Sequence, residues 1–215
     1  MRKGRPFAAI GGNGPVRLPF HAPGMRIGLF GGSFNPPHDG HRLVAKTALS
    51  ALRLDRLWWI VTPGNPLKNN TALPSQNERM ALCRALMPDP RIEVTGFEAS
   101  IGTRYTYDTL RYLEQRCPGV DFVWIMGADS LAGFHRWQKW RDIARMIPIA
   151  IIDRPGSTLR AAASKAAQVF GSARIDETDA ALLPGLKPPA WVFLYGPRSS
   201  LSSTELRARP KVATS

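Results

Sequence analysis

The stretch Arg26-Ile27-Gly28-Leu29-Phe30-Gly31-Gly32-Ser33-Phe34-Asn35-Pro36-Pro37-His38-Asp39-Gly40-His41 decides how the chain folds. Its first five residues are a short apolar run of strand character. The paired glycines let the backbone turn tightly and approach a ligand, and a helix opens around the histidines. A chain that passes from strand through a glycine turn into helix has begun an alternation of β and α elements.

Outward from there the alternation continues. Short β-rich runs at residues 57–62, 91–95, 121–126, 148–152 and 191–195 alternate with helix-length amphipathic segments at 42–52, 76–87, 106–116, 137–146 and 159–170. Runs such as Trp58-Trp59-Ile60-Val61 and Ile149-Ala150-Ile151-Ile152 are apolar throughout, the pattern of parallel strands buried on both faces. The expectation is an α/β fold: a doubly wound, Rossmann-like, mostly parallel sheet with helices on both faces, in a single domain. Ligands bind such sheets beyond the carboxyl ends of the strands, which singles out the loops after Phe30, Thr62, Met126 and Tyr195. Residues 171–189, with several Pro and Gly, read as a long surface connection.

A chain of 215 residues suffices for one compact domain with a substantial core. Residues 1–24 are basic, rich in Gly and Pro and without apolar periodicity, so they read as a flexible and dispensable extension. The domain is expected over 25–209, with a short tail at 210–215. The 29 basic and 16 acidic residues leave a net charge of +13, which attracts polyanions without saying which. A specific nucleic-acid partner is disfavoured, because no interleaving of aromatic and basic residues accompanies that charge. No apolar stretch approaches the roughly 18 residues of a membrane span. Cys83 and Cys117 stand far apart with no metal-ligand spacing, which fits a reduced, cytoplasmic setting.

Chemistry concentrates at two places. His38 and His41, three residues apart where the first helix starts, can face the same way and donate to one triphosphate, beside a helix N-terminus that itself favours anions. The glycine spacing does not match GxGxxG, which disfavours hydride transfer. Near the other end, Leu201-Ser202-Ser203-Thr204-Glu205-Leu206-Arg207 follows the last strand. Ser202 and Glu205 make a capping box, and the orphan N–H groups, the hydroxyls of Ser203 and Thr204, and the Arg207 guanidinium form a second anion cradle.

Together these motifs resemble the nucleotidyltransferase superfamily that carries HxGH early and an SSTxxR-like motif late. Within it the chain is similar to the bacterial nicotinate-mononucleotide adenylyltransferases. Four further segments stand in that family's order: Pro63-Gly64-Asn65-Pro66-Leu67-Lys68, Glu78-Arg79-Met80, Tyr105-Thr106-Tyr107-Asp108-Thr109-Leu110, and Met126-Gly127-Ala128-Asp129 leading to Phe134 and Trp137. Leu67 departs from the proline or histidine of many members, and residues before Met25 have no counterpart.

The resemblance implies a transfer of AMP from ATP to nicotinate mononucleotide with release of pyrophosphate, an oxygen of the acceptor phosphate attacking the α-phosphorus in line. It makes His38, His41, Ser203 and Arg207 the holders of the ATP phosphates, with Ser202 and Thr204 in the same cradle and Gly31, Gly32, Ser33 and Phe34 lining the nucleotide. Lys68, Tyr105, Thr106, Asp129 and Trp137 would border the mononucleotide, Trp137 stacking on its ring. His38, His41, Arg207 and a magnesium ion held by ATP oxygens, with no protein side chain as metal ligand, would stabilise the developing charge. Sister enzymes acting on nicotinamide mononucleotide or phosphopantetheine share both cradles and stay open at this stage, as does homo-oligomerisation.

Overall fold

The computed structural model describes residues 16–64, 73–153 and 163–195. Among them seven strands form one sheet: β1 (Arg26–Gly32), β2 (Arg56–Val61), β3 (Ile92–Thr95), β4 (Asp121–Gly127), β5 (Ile149–Ile152), β6 (Arg174–Ile175) and β7 (Trp191–Leu194). Their order is β3-β2-β1-β4-β5-β7-β6, and every pairing is parallel. The expected doubly wound α/β architecture is the one observed.

Alternation within the strands explains why both faces are covered. Leu29, Trp58, Trp124 and Ile151 point to one face, packed by the helices α4 (Thr106–Arg116), α5 (Ala128–Gly133), α6 (Trp140–Met146) and α7 (Lys165–Val169). Phe30, Trp59, Ile125 and Ile152 point to the other, packed by α1 (Asp39–Ala51) and α2 (Gln76–Leu86). A period of two puts adjacent residues on opposite faces, so a sheet covered twice needs apolar residues at nearly every position. A one-turn helix, α3 (Phe97–Ser100), follows β3.

Local chemistry sets the helix starts. Ser75 and Glu78 form a reciprocal capping box at α2, where the Ser75 hydroxyl and N–H hold the Glu78 carboxyl below the usual carboxylate range.

Three expectations need correction. The helix expected over 137–146 starts only at Trp140: a 3-10 turn, Phe134–Arg136, lies ahead of the segment, and Lys139 adopts a left-handed φ of 54° just before α6 begins. Half-buried Trp137 and the buried Trp140, Ile143 and Ala144 keep helical spacing through the segment, so the periodicity does not mark the late start. The surface connection over 171–189 contains strand β6 and a 3-10 segment, Glu177–Gly185, that buries Ala180, Leu183 and Pro184 against the sheet. Its apolar residues do not gather on one side at α-helical spacing, and so the sequence gives no sign of a packed element.

Third, the flexibility expected before Met25 does not extend to residues 16–24. Val16 and Leu18 pack on the core, His21 lies edge-on to Trp58 at 5.9 Å, and the Arg56 guanidinium stands 4.9 Å over the Phe20 ring. Gly24 N–H donates to the Gly119 carbonyl at 2.6 Å. These contacts gather at the amino ends of β1, β2 and β4.

Candidate active site

In the strand order, β1 sits between β2 and β4: the chain leaves β1 towards one side of the sheet and leaves β4 towards the other. The crevice between their carboxyl ends is where doubly wound folds bind ligands. Into it open the loop from Ser33 to His38 and the start of α5 with Asp129. Crossover helices run back against the strands, so the first turns of α1 and α4 lie along the same edge, and with them Tyr105 and Thr106.

The start of α1 is built by its two histidines. His38 is the N-cap, with extended backbone (φ −153°, ψ 171°), and its Nδ1 accepts the Gly40 N–H at 3.1 Å. His41 reaches back so that its Nδ1 accepts the His38 N–H at 3.2 Å. This is the reciprocity of a capping box with imidazoles in place of hydroxyl and carboxylate. His38 is buried and the two rings are 3.9 Å apart. The two histidines expected to face the same way stand ring beside ring, and His38 is in addition the cap of the helix.

The glycines act differently from expectation. Gly31 and Gly32 are still strand, in register with Ile60 and Val61, and the left-handed residue that turns the chain is Phe34, with φ 45°. Glycine is required at position 31 because a Cβ there would stand 2.7 Å from Cη2 of Trp124. Phe34 is held in a conformation that costs an L-residue about 1–2 kcal/mol. Its buried ring stacks on Trp59 at 5.2 Å and meets the edges of Phe30 and His41. Beneath it, the buried Arg79 donates from its guanidinium to the Ser33 carbonyl at 2.6 Å and from Nε to the Pro74 carbonyl at 3.0 Å.

Trp137 joins this region through Trp124. Its ring lies 6.1 Å from that of Trp124 and 5.3 Å from that of Phe134, both edge to face. Trp137 is thus a half-buried side chain packed on the core whose neighbour Trp124 also covers Gly31. Two residues on, Lys139 Nζ sits 4.1 Å over the Tyr107 ring and ties the Trp137 loop to the first turn of α4. Asp129 is exposed in the first turn of α5, and Tyr105 is exposed at the N-cap of α4.

Sequence reasoning missed a buried acid nearby. Glu98 of α3 accepts a hydrogen bond from the Thr109 hydroxyl at 2.7 Å, and the Thr103 hydroxyl lies 3.3 Å from that of Thr109. Thr109 has one proton and gives it to Glu98, so Thr103 is the donor in its pair. Burial pushes the Glu98 carboxyl from the usual 4.5 up to about 7, against the opposing pull of Thr109.

Lys68, Ser202, Ser203, Thr204 and Arg207 lie outside the described residues. Among the described residues no group of three or more His, Cys, Asp or Glu gathers as a metal site, and no helix is long and apolar enough to cross a membrane. Cys83 and Cys117 are buried thiols, pushed up to about 12 and about 11 by burial, which makes them poor nucleophiles.

A parallel sheet in this order, with a histidine-capped helix at its switch point, defines the class: a doubly wound α/β protein with its candidate site at the switch point. The chain belongs to the cytidylyltransferase-like family, whose model matches residues 29–209. It is 62% identical over 185 residues to a protein of Methylorubrum extorquens named "probable nicotinate-nucleotide adenylyltransferase", covering 86% of this chain and 100% of that one. A protein of the same name from Agrobacterium fabrum is 60% identical over 187 residues, 87% of this chain and 100% of that one. In fold, the chain is similar to Plasmodium falciparum nicotinic acid mononucleotide adenylyltransferase complexed with NaAD, with a TM-score of 0.62 at 19% identity, over 86% of this chain and 83% of that one.

Proposed function

We propose that this chain is a nicotinate-nucleotide adenylyltransferase, moving AMP from ATP to nicotinate mononucleotide to give deamido-NAD and pyrophosphate. The observation that carries the reading is the pair of imidazoles that each accept a backbone N–H at the N-terminus of α1, set at the switch point of a chain so similar to proteins of that name. Such a site offers N–H donors and a positive dipole end to a phosphate chain.

The chemistry needs no protein nucleophile. The acceptor phosphate attacks the α-phosphorus in line, so rate comes from holding two anions in register and from stabilising charge on the α-phosphate and the leaving pyrophosphate. His38 and His41, through their Nε2–H groups, are the donors of this cradle, with Arg207 and the Ser202-Ser203-Thr204 turn as its second half. Lys68, Tyr105, Thr106, Asp129 and Trp137 border the acceptor. The donors at the start of α1 are N–H groups rather than clustered carboxylates, so they suit an anion, and magnesium would come in on the nucleotide's own oxygens. Bound, that ion supplies charge neutralisation. Two buried thiols are compatible with a cytoplasmic setting.

The test is pyrophosphate release from ATP with nicotinate mononucleotide, nicotinamide mononucleotide and phosphopantetheine offered separately as acceptors. Product with nicotinate mononucleotide supports the reading; product only with phosphopantetheine, or none with any acceptor, refutes it.

A further inference from the structure

Arg79 is 1% exposed, on the same stripe of α2 as Cys83, and among the described residues it forms no ion pair. Burying a cation on carbonyl dipoles alone is costly, and a methionine would fill the volume without that penalty. What the guanidinium gains is control of two distant segments. It takes the Ser33 carbonyl, 46 residues away in sequence, and the Pro74 carbonyl ahead of α2.

The Ser33–Phe34 peptide is trans, since the cis bonds are Asn35-Pro36 and Pro188-Pro189. Planarity then sets the Phe34 N–H antiparallel to the Ser33 carbonyl. A guanidinium that draws this carbonyl inward turns the N–H outward, towards the crevice at the end of β1. The left-handed φ of Phe34 places that peptide at an angle the backbone would not choose unaided, so it needs holding from both sides. Aromatic packing holds the ring and Arg79 holds the carbonyl.

We infer that Arg79 is a positioning residue for the phosphate cradle, fixing the Ser33–Phe34 peptide so that the Phe34 N–H donates to the ATP phosphates. The inference rests on the ATP-binding reading above. It gives the Glu78-Arg79-Met80 segment a role that neither its capping nor its packing supplies.

The experiment uses the full chain, unaltered and as Arg79→Met and Arg79→Lys, titrated separately with α,β-methylene-ATP and with nicotinate mononucleotide. For Arg79→Met the Kd of the ATP analogue rises at least about tenfold, the scale of one charge-assisted hydrogen bond, while that of the mononucleotide stays unchanged. Arg79→Lys falls between, since an ammonium keeps the charge but not the fork. In the unaltered, nitrogen-15-labelled chain the Phe34 amide resonance moves on adding the analogue, and in Arg79→Lys it moves less. A merely structural arginine would lower the folded fraction and leave the affinity of each folded molecule intact. If a folded Arg79→Met binds the analogue normally, or if the Phe34 amide of the unaltered chain does not respond, the proposal is overturned; the second readout decides the matter even where Arg79→Met does not fold. An unaltered chain that neither binds the analogue nor turns over any mononucleotide overturns the ATP reading, and this proposal with it.

Discussion

His38 and His41 each accept a backbone N–H through Nδ1, at 3.1 Å and 3.2 Å, with their rings 3.9 Å apart. A nitrogen that accepts carries no proton, so the cap selects the neutral tautomer with Nε2–H on both rings. One pair of interactions thereby orients two donors and closes the helix end. His41→Ala removes one donor and one cap together. Turnover falls by about two to four orders of magnitude, and stability falls by about 1 kcal/mol. Steady-state kinetics beside thermal melting check both; a folded variant with normal turnover removes His41 from the cradle.

Glu98 makes stability depend on pH in a stated direction. Its folded-state value of about 7 lies above the usual 4.5, so between these the folded protein keeps a proton that the unfolded chain has released. Stability is therefore lost as pH rises through that window. Glu98→Gln keeps an acceptor for Thr109 and does not titrate. From the acid to the alkaline side of the window its stability should gain on that of the unaltered chain by roughly 3 kcal/mol at most. Denaturant melts across pH measure this, and parallel profiles would show that Glu98 does not titrate there.

Removal of residues 1–24 separates stability from activity. A chain beginning at Met25 loses the burial of Val16 and Leu18 and the contacts of Phe20, His21 and Gly24. At about 2 kcal/mol for two partly buried aliphatic side chains, Tm drops by about 4–8 °C for a protein of this size. These contacts sit at the amino ends of the strands, opposite the crevice, so turnover at 25 °C (about 298 K) stays as it was. An unchanged Tm would mean that the segment adds nothing; a loss of turnover would mean that it reaches the site.

Nicotinate mononucleotide is preferred over its amide counterpart. The first turn of α4 presents orphan N–H groups along the crevice. Donors of that kind satisfy a carboxylate and leave an amide's own donors unpaired. The ratio of kcat/KM should be at least about a hundredfold. Gln138, two residues before the α6 helix and exposed, carries a side-chain oxygen that could accept from an amide and narrow the ratio. Matched kinetics with the two acceptors settle the point, and equal efficiencies would refute it.

The sheet was legible because strands covered on both faces must be apolar almost throughout, and Trp58-Trp59-Ile60-Val61 can hardly be anything else. The histidine pair was legible because its spacing is local. What escaped depends on partners far away in sequence. Arg79 did leave a trace, an arginine four residues before Cys83 on the buried stripe of its helix. Glu98 left none, since its burial is created by Thr103 and Thr109 folding back over it. Phe34 is the subtler case: two residues after a pair of glycines, nothing in its chemistry marks it as the residue that turns.

Among the described residues the sheet ends in a two-residue strand, β6, and at its far edge in the four residues of β3. Short borders have a consequence for life at high concentration. A free strand edge is a template on which another chain can zip, and two residues offer almost no length to copy. Arg174 on one border and Glu93 on the other add charges that an incoming strand would have to accommodate. Glu93 is already engaged by Arg56 and by the Phe20 N–H. The arriving segment at residue 20 thus ties down the charge on the β3 border, one more group that an incoming strand would have to displace.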